Sequence, residues 1–183
     1  SLDTAWWDLH ASSRGEPLWR VIGGVSPTIE VGADLGAMES VDALLAEVEK
    51  AQEAGFRRLK LKFRPGWDLP VVEAVRRRFP DLTVHIDCNG AYTLDDLPMF
   101  RALDEWGLAM IEQPLGHDDL VDHALLQAQL RTPICLDESI TSVDRARQAA
   151  EIGACRWVNV KPGRVGGLTV AITIHDLCAE RGI

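Results

Sequence analysis

Five ionisable residues recur at an almost constant interval along this chain. Lys62, Asp87, Glu112, Asp137 and Lys161 are separated by 25, 25, 25 and 24 residues. Each closes an apolar run: Leu59-Lys60-Leu61-Lys62, Leu82 to Asp87, Leu108 to Glu112, Pro133 to Asp137 and Trp157 to Lys161. About 25 residues accommodate one strand, one helix and two short loops. The period predicts five side chains at the same height on consecutive βα units, aligned along one rim by right-handed crossovers. Chance supplies one or two charges at strand ends. Five in the order base–acid–acid–acid–base point to a single site.

Three neighbouring carboxylates would repel one another unless a cation lies among them. All-oxygen ligation by Asp87, Glu112 and Asp137 selects magnesium or manganese over zinc. Lysines flank the acids: Lys60 and Lys62, two apart and so on one side of their strand, and Lys161 beyond. A free lysine, with a pKa of about 10.4, is a poor base at neutral pH. A metal ion, a second ammonium and partial desolvation lower it. The set suits removal of a proton from the carbon next to a carboxylate, with the metal stabilising the enediolate. A Schiff-base aldolase would also use a lysine here, but it does not need three carboxylates at one height.

The elements that must position these residues follow from periodicity. Residues 82 to 89 read as a buried parallel strand ending in Asp87 and Asn89, with Gly90 to Thr93 leading to a helix. The other strands are expected over Ile29–Leu35, with Asp34 near its carboxyl end, Arg57–Phe63, and the runs ending at Glu112, Asp137 and Lys161. The helices expected between them run from Ser40 to Gly55, from Asp68 as N-cap through Phe79, and over 94–106, 120–130, 143–153 and 168–181. Thr93 and Asp96 form a capping pair. Ahead of them, Leu2, Ala5, Trp6 and Leu9 mark an amphipathic helix ended by Gly15, then a short turn before Gly23, with the tryptophans expected to pack onto the main body. The glycines at 163, 166 and 167 fit neither the P-loop nor the dinucleotide fingerprint and are read as a close-approach loop bordering the site.

Composition narrows the function classes. A chain of 183 residues with 46% hydrophobic and 26% charged residues can bury a sizeable core. Its net charge of −9 argues against non-specific nucleic-acid binding. The four cysteines lack CxxC spacing and read as small buried residues of a reducing compartment. His85, His117, His123 and His175 lack ligand spacing. No stretch is apolar enough to span a bilayer and none resembles a signal peptide, so a cytoplasmic location is expected. The first and last residues fall in mid-pattern, so truncation at both ends is expected.

These motifs together resemble the enolase superfamily, within it the muconate-lactonizing subgroup. The likeness is strongest to o-succinylbenzoate synthases and N-acylamino-acid racemases. It is carried by Lys60-Leu61-Lys62, Pro65-Gly66-Trp67-Asp68, Asp87-Cys88-Asn89, Ile111-Glu112-Gln113-Pro114, Cys135-Leu136-Asp137-Glu138-Ser139 and Lys161 to Gly167. The resemblance implies a partial (β/α)8 barrel over 29–183, strands one to six with their helices, preceded by a helical lead-in over 1–28. The family's capping domain and last two βα units are expected to lie outside this stretch.

It further implies magnesium, with manganese as a substitute, on Asp87, Glu112 and Asp137. Lys62 would be the general base or acid, and Lys161 the enolate-stabilising cation or second base. Lys60 would be a supporting cation, with Asn89 and Glu138 beside the substrate. Cys88 replaces a common alanine, and Asp34 stands where a small or hydroxyl side chain is usual. The activity implied first is o-succinylbenzoate synthesis, a dehydration in menaquinone biosynthesis. N-acyl- or N-succinylamino-acid racemisation comes second, then dipeptide epimerisation or cycloisomerisation. An inactive binding module is the non-enzyme alternative. The expected partner is a small carboxylate substrate, with no nucleic acid and no membrane, and a homo-oligomer at full length.

Overall fold

The computed structural model describes residues 1–183. Six parallel strands form one sheet whose order, β1-β2-β3-β4-β5-β6, follows the chain. The elements are α1 (Leu2–Arg14), α2 (Leu18–Val21), β1 (Ala33–Leu35), α3 (Val41–Glu53), β2 (Arg58–Lys62), α4 (Leu69–Arg78), β3 (Thr83–Asp87), α5 (Leu97–Leu103), β4 (Ile111–Glu112), α6 (Val121–Gln127), β5 (Ile134–Leu136), α7 (Val143–Glu151), β6 (Trp157–Val158), α8 (Pro162–Val165) and α9 (Leu168–Glu180). This is a partial (β/α)8 barrel.

Alternation along the strands divides the molecule into two faces. Leu59, Leu61, Val84, Ile86, Ile111, Ile134 and Leu136 are almost completely buried. They join Leu44, Val48, Val72, Val75, Phe100, Leu103, Leu126 and Ile174 of the helices in one core of 34 buried residues. The opposite parity carries the polar set. Lys60 is in register with His85, and Lys62 with Asp87. Asp87 is in register with Glu112, and Glu112 with Cys135.

Local chemistry explains most boundaries. Ser40 and Ser142 cap α3 and α7 by accepting from Ala43 N and Arg145 N. Thr93 and Asp96 form the expected capping box. The helix expected over 94–106 is α5 flanked by two 3-10 turns, Leu94–Asp96 and Asp104–Trp106.

Three expectations need correction. The first strand starts at Ala33, not Ile29, and Ile29 and Val31 are exposed. Asp68 does not cap α4 with its side chain; its Oδ2 turns back to accept from Gly66 N and closes the preceding loop. The stripe Leu2, Trp6 and Leu9 faces outward, with exposures of 92, 55 and 69%. The helix is anchored by its polar groups instead. Trp7 Nε1 donates to Thr169 Oγ1 (2.9 Å), and Asp3 accepts from the backbone N and hydroxyl of Thr169. Asp3 thereby caps α9, where an anion complements the helix dipole. A side chain at Gly167, whose φ is 147°, would collide with that carboxylate.

Candidate active site

Short strands bring the rim residues together: β2 to β5 each end within a residue of the charged group, whereas β6 stops at Val158, short of the expected Lys161, which is instead the N-cap residue of α8. Asp87, Glu112 and Asp137 each expose 1% of their surface. Buried carboxylates require compensating charge, and lysines supply it. Lys60 Nζ lies between two of them, 2.8 Å from Asp87 Oδ2 and 2.9 Å from Glu112 Oε2. Lys62 Nζ approaches the same Asp87 Oδ2 at 2.7 Å. Lys161 Nζ contacts Asp137 Oδ2 at 2.5 Å, and Arg164 Nη1 contacts Asp137 Oδ1 at 2.6 Å. Asn159 Nδ2 donates to the remaining oxygen of Glu112, Oε1, at 3.0 Å.

Protonation follows these contacts. Burial alone would raise Asp87, but hydrogen bonds from Lys60 and Lys62 hold its carboxyl below the usual range. Burial alone would lower Lys60, but its bonds to Asp87 and Glu112 more than offset that and push it up. Lys60 is therefore a fixed countercharge, opposite in sense to a lysine tuned as a base. Lys62, with 34% of its side chain exposed, and Lys161, with 47%, remain the accessible amines.

Asn89 and Glu138 extend the network. Lys62 Nζ donates to Asn89 Oδ1 at 2.7 Å, and Asn89 Nδ2 donates to Glu138 Oε1 at 3.0 Å. Asn89 also has φ 44°, unusual for a non-glycine residue. Asp34 lies lower, in register with Lys60. It lines a small recess of about 130 Å³ with Gly32, Ala33, Arg58, Lys60 and His85. His85 is held down at about 4 by burial and by Lys60 and Arg58.

Three contributors were not assigned roles from the sequence, and Asn159, bonded to Glu112 from 47 positions away, is one of them. Arg164 lay inside a recognised motif, but its contact with Asp137 joins positions 27 apart. Gln113 followed Glu112 as the middle of Glu-Gln-Pro, and its buried amide bonds the backbone after β5. The four cysteines are free and buried, as expected. No three His, Cys, Asp or Glu side chains are arranged to hold a metal ion. Ammonium and guanidinium groups lie against the carboxylates instead. The donor chemistry nonetheless fits a hard divalent cation: three buried carboxylates on adjacent strand ends, all oxygen, each already against a positive charge.

Comparison with known proteins decides the family. Residues 43–183 match the model of the enolase C-terminal domain-like family. The chain belongs to that family. It is 55% identical over 183 residues to the o-succinylbenzoate synthase of Geobacillus kaustophilus, covering all of this chain and 49% of that protein. It is 50% identical over 182 residues to the N-succinylamino acid racemase of Thermus thermophilus, again covering all of this chain and 49% of the relative. Among solved structures, the dipeptide epimerase of Enterococcus faecalis complexed with Mg and the dipeptide L-Leu-L-Tyr superposes with a TM-score of 0.93 at 26% identity. That match covers 99% of this chain and 52% of the epimerase. The chain spans about half the length of the curated relatives it matches. As an enolase-type barrel segment, it places its polar rim at the carboxyl ends of the strands, where such barrels keep their chemistry.

Proposed function

We propose that the protein carrying this barrel removes the α-proton of a small carboxylate substrate, and that its reaction is the dehydration forming o-succinylbenzoate. One observation carries the reading. Lys62 on β2 and Lys161 beyond β6 bracket the three carboxylate-bearing strands and bind the two outer acids, Asp87 and Asp137.

Asp87, Glu112 and Asp137 would hold a magnesium ion. When bound, the ion supplies positive charge to the substrate carboxylate as the α-proton leaves. Lys62 as the free amine takes that proton. The electron pair released then expels the β-hydroxyl, which leaves as water after accepting the proton back from the Lys62 ammonium. One water is lost and the lysine is regenerated. Asn89 orients Lys62 through its amide oxygen, and Glu138 fixes which way that amide points. Lys161 stays protonated and stabilises the negative charge that develops at the substrate. The protein would act as a soluble cytoplasmic enzyme, homo-oligomeric at full length.

The position of Lys161 also favours a second reading. An amine on each side of the acids suits racemisation of N-succinylamino acids, with Lys62 removing a proton from one face and Lys161 delivering one to the other. Assay of the full-length protein with both substrates, together with α-deuterium exchange in D₂O, tests the choice. Dehydration well above racemisation is the expected result. Efficient racemisation with negligible dehydration would reverse the assignment, and no exchange from either substrate would remove the proton-abstraction reading altogether.

A further inference from the structure

Gln113 is bonded to all three segments that carry the carboxylates. Its carbonyl accepts from Gly90 N at 2.8 Å, in the turn after Asp87. Its own N–H donates to Cys135 O at 2.8 Å, on β5. Its side-chain Oε1 accepts from Asp137 N at 3.0 Å and Ser139 N at 3.1 Å. Its Nε2 donates to Leu115 O at 3.0 Å and Ser139 Oγ at 2.8 Å. The residue is completely buried. Its φ of 39° lies in the left-handed region that a non-glycine residue avoids unless its surroundings hold it there. These bonds hold it there. They also tie the residue after Glu112 to the backbone of Asp137 itself.

We propose that Gln113 is a positioning residue that sets the separation of Asp87, Glu112 and Asp137 and so the affinity of the rim for a divalent cation. The proposal rests on the cation-binding role assigned to those carboxylates above. A side chain that only filled space would not need both ends of its amide engaged across two strands. Outer groups that orient ligands change metal affinity about 10–100-fold when removed.

The molecule contains its own control. Gln127, also buried, performs the same kind of bridging at the opposite end of β5. Its Oε1 accepts from Ile134 N at 2.7 Å, and its Nε2 donates to Thr132 O at 3.2 Å and Leu130 O at 3.4 Å. It touches none of the carboxylates.

The test is Mn²⁺ titration of the full chain, read by calorimetry and by the electron paramagnetic resonance of free Mn²⁺, beside thermal melting. Gln113→Leu and Gln127→Leu should both lower the melting temperature. Only Gln113→Leu should weaken Mn²⁺, by about 10–100-fold. Gln113→Glu keeps the acceptor for Asp137 N and Ser139 N and should retain more affinity than Gln113→Leu. If Gln113→Leu does not fold, Gln113→Glu and Ser139→Ala carry the test, and each should weaken Mn²⁺ measurably. Wild-type affinity in every folded Gln113 and Ser139 variant would overturn the positioning role alone. Equal weakening by Gln113→Leu and Gln127→Leu would also overturn it, by showing a general loss of rigidity. Failure of the wild type to bind Mn²⁺ would instead overturn the cation-binding role, and this proposal with it.

Discussion

The two ends of the sheet solve burial differently. At the amino-terminal end, polar side chains meet backbone. Arg76 donates to Trp106 O, Leu82 O and Gly107 O, and Arg156 to Arg131 O and Leu130 O. Asp104 accepts from Arg131 N and Thr132 N. At the carboxyl-terminal end, charge meets charge, with three carboxylates against three lysines and an arginine. Backbone partners are held by the fold and cannot be exchanged. Ammonium groups on long, partly exposed stems can be displaced by another cation or shift toward a substrate. The difference separates a set of contacts that holds the barrel segment together from one that can do chemistry.

The largest break in that contrast should come from Lys62→Ala. Loss of a positioned general base lowers rates about 10²–10⁴-fold, read as α-deuterium exchange by the full-length protein, with little change in melting temperature. Exchange at the wild-type rate would dismiss Lys62 as the base. The matching change below is Arg76→Met, which leaves three backbone carbonyls without their donor. It should cost about 2–4 kcal/mol of stability, given the usual worth of bonds to charged groups, while exchange per folded molecule stays constant. A selective loss of exchange would erase the distinction between the ends.

The comparison sharpens with pH. Burial holds His123 below the ordinary histidine value, and its Nε2 accepts from Leu115 N at 3.2 Å. The unfolded chain takes up a proton near pH 6.5 that the folded chain refuses. Stability is therefore full above about pH 6.5 and declines as pH falls toward the folded value. His85, held near 4, acts with the same sign. At the other end, burial would raise Asp104, but hydrogen bonds from Thr132 and Arg131 hold it below the usual range. Its contribution should persist until pH falls below about 4. Melting curves from pH 7 to 4.5 should fall less steeply for His123→Asn than for wild type and equally for Asp104→Asn. An unchanged slope in His123→Asn would discard that histidine as a source. The smallest effect belongs to a helix cap: Ser40→Ala removes the acceptor for Ala43 N and should cost about 1 kcal/mol by urea unfolding.

The rim was legible because its members are charged, end apolar runs and recur at one βα length. Lys62, Asp87 and Glu112 stand in direct register as that period requires. Gln113 escaped because its meaning lies in partners 24 to 26 residues away and in a backbone angle that no composition reveals. A polar residue between a buried strand end and a proline was the available signal. At the amino end, alternation extended the first strand to Ile29, where no neighbour pairs with it. For α1, the apolar stripe suggested the wrong contact face because Asp3 and Trp7 make the anchoring bonds.

The order of the sheet has a consequence for how the molecule assembles. Every strand pairs with its sequence neighbour, so each new unit can add to the one just completed at the small entropic cost of closing a short loop. The junction of α1 with α9 is the exception. Asp3 reaches Thr169 across 166 positions. During synthesis α1 emerges before every strand, yet its docking site exists only once α9 has formed. Hydrogen exchange pulsed during refolding should therefore protect β2 and β3 early and α1 late. The capping of α9 by Asp3 would then be a late step, dispensable for starting the sheet and needed to secure α9.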